Sequence, residues 1–171
     1  MEEQPVILTR EESITALRND YQIVLYTFNP QVVQIYREKA RPGTMCLLRY
    51  HVIAPTFILN SESDLEPKPA DNIDFYQEVY EGYPNVKPLV YYPVNRKLAS
   101  VNVYPGGQQC TDKHRNYTSL SSLAEKTIRD IIHDPHVTRY NSPADRRLEQ
   151  WQRSMERKGA FPTIQPRLLF A

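Results

Sequence analysis

Glycine is scarce in this sequence, at 5 of 171 residues, while proline reaches 14. Average usage is roughly 7% for glycine and 5% for proline, so flexible glycine-rich linkers are excluded and the turns are stiff. There are two cysteines, Cys46 and Cys110. Two are too few for a disulfide framework, and no Cys-x-x-Cys or Cys/His spacing points to a metal. No run approaches the ~18 apolar residues of a membrane span. The acidic start, Met1-Glu2-Glu3-Gln4-Pro5, is unlike a secretory signal. A cytoplasmic chain with reduced thiols and no membrane partner is expected. Charge of one sign is also missing: Lys plus Arg is 21, Asp plus Glu is 20, net +1. That balance excludes a strongly basic nucleic-acid binder and an acidic tail protein.

What is present suits one globular domain over residues 1–171. Hydrophobic residues are 40% and charged residues 24%, and the chain is long enough to bury a core without staples. The 12 tyrosines, set among prolines, favour strands with half-exposed faces over a helix bundle. Charge divides unevenly, net −3 over residues 1–110 and +4 over 111–171.

Thr9 and Glu12 form a Thr-x-x-Glu capping box that opens a helix over residues 9–20. Ile14, Leu17 and Tyr21 are its apolar stripe, and Arg10, Glu11, Arg18 and Asn19 its polar face. Residues 21–28, 32–36, 46–53 and 75–83 read as strands, and residues 60–74, with five acidic residues and two prolines, as a polar loop. Residues 93–117 have little regular pattern. Leu120, Leu123, Ala124, Thr127, Ile128 and Ile131 mark an amphipathic helix ended by Asp134-Pro135. A last helix spans residues 143–158, with Leu148, Trp151 and Met155 as core side chains and Gly159 as the stop. The order predicts an α+β fold, an antiparallel sheet with helices gathered on one side.

Cys46 lies between Met45 and Leu47 in a strand and reads as core. Cys110 is different. It follows Pro105-Gly106-Gly107-Gln108-Gln109 and precedes Thr111-Asp112-Lys113, a polar loop where a cysteine is a candidate nucleophile.

Around Cys110 the motifs resemble the ubiquitin-conjugating enzyme family. Tyr83-Pro84-Asn85-Val86-Lys87-Pro88 is similar to the family's Tyr-Pro-x-x-x-Pro element. The family's His-Pro-Asn tripeptide, whose Asn stands eight residues before the catalytic cysteine, corresponds to Ser100-Val101-Asn102. Tyr104 and Gly107 match an aromatic and a glycine of the same stretch, and Asn141-Ser142-Pro143-Ala144 resembles the loop opening the next helix. The resemblance covers residues 75–158. His and Pro of the tripeptide are replaced here, and the usual tryptophan after the cysteine is missing. These departures resemble the bacterial relatives encoded beside a ubiquitin-like protein and an activating enzyme, in operons associated with antiphage defence.

The resemblance implies an α+β sheet meander with an N-terminal, a central and a C-terminal helix. It implies that Cys110 accepts the C-terminal glycine of a ubiquitin-like protein as a thioester from an activating enzyme and passes it to an amine of a target protein. ATP is used by that partner, and no cofactor or metal is implied for this chain. Asn102 would donate to the oxyanion or shape the loop. His114, Ser142 and Asp145 are candidates for receiving the amine's proton. Arg10, Glu11 and Arg18 would face the activating enzyme. Two rivals stay open: a non-catalytic binding module of the same fold, and a cysteine hydrolase, for which no base–orienter signature appears.

Overall fold

The computed structural model describes residues 8–36, 42–111, 117–135, 137–138, 140–162 and 169–170. The fold is α+β. Helix α1 spans Arg10–Thr27, strands β1 to β5 span Val33–Tyr36, Thr44–Leu59, Lys68–Tyr80, Leu89–Tyr91 and Lys97–Leu98, and helices α2 and α3 span Leu120–Ile131 and Glu149–Arg157. All strand pairings are antiparallel, in the order β1-β2-β3-β4. The short β5 pairs with the end of β2. Among the described residues no helix is long and apolar enough to cross a membrane.

Helix α1 begins as its cap predicts: Thr9 Oγ1 accepts the Glu12 N–H at 3.2 Å. It does not end at residue 20. The expected strand over residues 21–28 is wrong, because α1 continues to Thr27. Ile14, Leu17, Tyr21, Val24 and Phe28 recur at spacings of three and four, and that stripe carries Leu17, Val24 and Phe28 into the core. A short apolar run fits both periods, and packing decides.

Strand β3 also starts earlier than expected. Only residues 60–67 form the loop, where Asp64 accepts from the Asn60 and Glu66 N–H groups (2.9 and 3.0 Å). From Lys68 the chain is strand. Ile73 and Phe75 are buried while Asn72 and Asp74 lie on the other face, a wetter sheet face.

Leu48, Tyr50, Val52 and Ala54 of β2 join Ile73, Phe75 and Val79 of β3, Leu17 and Val24 of α1, and Leu120, Leu123 and Ile128 of α2 in one core. A smaller cluster of Leu59, Ala99, Val101 and Leu148 lies under Phe57, Tyr140 and Trp151. The Trp151 ring meets Phe57 edge-on at 5.6 Å, in the core role expected of it. The last helix is shorter than expected. Ala144 and Asp145 donate their N–H groups to the Val101 carbonyl (2.7 and 3.1 Å). The helical path starts only at Arg146, in a 3-10 turn that leads into α3.

Candidate active site around Cys110

The irregular stretch before Cys110 contains a tight hairpin. The Gly107 N–H bonds the Tyr104 carbonyl (2.8 Å) and the Tyr104 N–H bonds the Gln108 carbonyl (2.8 Å). Val103 bridges Gln109, and the Cys110 N–H bonds the Asn102 carbonyl at 2.7 Å. The eight-residue spacing of Asn102 and Cys110 is therefore a register: they are opposed ends of one hairpin. A turn followed by a left-handed residue is a common three-residue hairpin closure. Gly107 takes that conformation, with φ 96°.

The returning arm of the hairpin lies along β4. The Tyr92 N–H bonds the Gly107 carbonyl (2.7 Å), and the Gln109 N–H bonds the Val90 carbonyl (2.8 Å). Lys87, within the proline-framed element, donates its ammonium to the Thr111 carbonyl, and Tyr117 donates to the Pro84 carbonyl at 3.2 Å. Those contacts hold the residue after Cys110 against the Tyr83–Pro88 segment. On the other arm, the Val101 carbonyl receives Ala144 and Asp145, so the loop bearing Ser142 docks on the residue preceding Asn102.

Cys110 is a free cysteine with 8% of its surface exposed. Cys46 is fully buried, and burial pushes its thiol up, which leaves it inert. Both cysteines are buried, Cys46 in the core of the sheet and Cys110 at the end of the hairpin.

Asn102 is buried, and its side-chain amide donates to the Asp130 carboxylate at 3.0 Å. Of the two roles considered for it, this contact favours shaping the loop over donating to an oxyanion. Asp145 is buried as well, and Arg147 binds both its oxygens (Nε and Nη2, each at 2.9 Å). Ser142 is exposed, and His114 lies outside the described residues. Arg10, Glu11 and Arg18 sit on exposed turns of α1, on a different element from the hairpin. Arg10 pairs with Glu81 at 2.5 Å. Arg10 and Arg18 rim a groove of about 490 Å³ floored by Ile14, Leu17, Tyr21 and Leu25 of α1 and Met45 of β2.

Two participants escape a reading of the sequence. Gln109 donates its side-chain amide to the same Asp130 carboxylate. Asp130 is fully buried on α2. The readable signal is a charge in the helix's own apolar stripe: Leu123, Thr127 and Asp130 stand at i, i+4 and i+7.

The sequence matches no protein-family model and no curated protein.

Proposed function

We propose that the chain has a ubiquitin-conjugating-type fold and transfers a ubiquitin-like protein through a thioester on Cys110. The observation that carries this reading is the hairpin that opposes Asn102 to Cys110, held on the outer edge of the meander next to the Tyr83–Pro88 element. The order of helix, four-stranded meander, cysteine hairpin and two helices supports it.

The chemistry is two acyl exchanges. The Cys110 thiolate attacks the thioester carbonyl on the activating enzyme. The new C–S bond forms, the old one breaks, and the partner's cysteine leaves as thiolate. A neutral amine of the target then attacks the same carbonyl. The C–N bond forms, the C–S bond breaks, and Cys110 leaves as thiolate. The amine's proton passes to solvent, with His114, Ser142 and the Arg147-bound Asp145 as the side chains considered for helping it. Asn102 keeps its loop in register with the nucleophile. ATP is consumed by the activating enzyme, and the partners are that enzyme, the ubiquitin-like protein and the target.

A loading assay tests the proposal. With activating enzyme, ubiquitin-like protein and ATP, the wild type is expected to give an adduct on a non-reducing gel that thiol reductant removes. Cys110→Ala is expected to give none, and Cys110→Ser an adduct that resists reductant. If competent partners give no adduct, the chain is a binding module and Cys110 carries no acyl group.

A further inference from the structure

Asp130 touches both flanks of the proposed nucleophile. One oxygen takes the amide of Asn102, whose carbonyl holds the Cys110 N–H, and the other takes the amide of Gln109, the residue just before Cys110. A carboxylate only accepts. It therefore forces both amides to present N–H, and it fixes the two hairpin arms relative to α2. A buried carboxylate is costly unless its hydrogen bonds are satisfied, and a single amide acceptor on α2 would staple one arm more cheaply. Asp130 instead bridges both arms, with one oxygen to each. The Tyr92 ring packs in the same core, and burial together with the Asp130 charge raises its hydroxyl.

We propose that Asp130 is a positioning residue, which sets the presentation of the Cys110 thiol through Asn102 and Gln109. The inference rests on Cys110 being the nucleophile of the proposed transfer. It requires complementarity between positions 102 and 130, not an amide at position 102 for its own sake. Asn102→Asp sets two carboxylates against each other. The exchanged pair, Asn102→Asp with Asp130→Asn, keeps both bridging bonds: the new amide at 130 donates to the new carboxylate at 102, and its oxygen accepts from Gln109.

The test follows thioester discharge to free lysine in single turnovers over a range of amine concentrations. Cys110 alkylation by iodoacetamide across pH and the melting temperature are measured on the same variants. Asn102→Asp and Asp130→Leu are expected to lower the maximal discharge rate on the order of 10²-fold, with the half-saturating amine concentration unchanged and the alkylation profile displaced. The exchanged pair is expected to recover to within about tenfold of wild type, because coupled neighbours are not additive. The proposal is overturned if the pair regains its melting temperature but discharges as slowly as Asn102→Asp, or if Asp130→Leu discharges like wild type. Failure of the wild type to load defeats the transferase reading instead. Alkylation then decides alone: a profile displaced in Asp130→Leu and restored in the exchanged pair supports positioning, and one that Asp130→Leu leaves unmoved refutes it.

Discussion

Gly107 is the residue on which the hairpin turns. At its φ of 96°, a Cβ would lie 2.3 Å from the Tyr92 carbonyl oxygen. An L side chain is strained there in any case, by roughly 1–2 kcal/mol, and the oxygen belongs to backbone already bonded to Gly107. Gly107→Ala is expected to cost at least about 2 kcal/mol, which for a domain of this size lowers the melting temperature by ~4–8 °C. A calorimetric melt checks it, and an unchanged melting temperature would mean that the turn does not close this way. Asn102→Ala should slow loading and discharge alike, because the loss is of loop shape. Discharge slowed alone, in a single-turnover assay of both steps, would return Asn102 to the oxyanion. At this scale the sequence was partly legible. Cys110 stood out against Cys46 by its polar neighbours, and the spacing to Asn102 was visible. Asp130 was not, since its partners lie 28 and 21 residues away and only the folded chain brings them together.

At the scale of elements, the sequence pattern located α2 but misplaced the end of α1, the start of β3 and the start of the last helix. Residues 21–28 satisfy a helical stripe and a strand-like run equally, and packing made the choice: Leu17, Tyr21 and Val24, spaced four and three apart, lie together against the core on one helix face. The start of β3 was hidden by Asp71, which is exposed near the strand's beginning, and by Asp74 on its wetter face. On that face Asp74 binds Arg49 (2.9 Å) and His51 (2.6 Å). Burial pushes the Asp74 carboxyl up, but the hydrogen bonds and charges of Arg49 and His51 outweigh it and hold it below its ordinary range. A carboxylate whose folded pKa is depressed adds stability above the unfolded value of ~3.9, and that stability disappears as pH falls through the folded value. Asp74→Asn should therefore be less stable than wild type at pH 7, and the gap should close below about pH 4. Urea unfolding at both pH values measures it. A gap that persists in acid would mean that Asp74 acts by shape and not by charge.

For the whole molecule, the Cys110 hairpin beside β4 and the α1 groove rimmed by Arg10 and Arg18 lie on different elements. In the proposed function the groove meets the activating enzyme. Reversing Arg10 and Arg18 to Glu removes one exposed ion pair, to Glu81, worth at most about 1 kcal/mol, so folding should hardly change. Loading should instead need about tenfold more activating enzyme for half-saturation, as steering charges act mainly on encounter. Titration of that enzyme in the loading assay gives the answer, and an unchanged half-saturation would clear the groove of this role. The sequence by itself determined the α+β class, the cap and stripe of α1 and the position of α2, because period and capping act over a few residues. Tertiary structure alone decided that α1 runs to Thr27, that Arg147 occupies Asp145, and that Asp130 joins both arms of the hairpin. Those outcomes depend on which surfaces meet in the core, and on burial that leaves each charged or amide group only the partners packed against it.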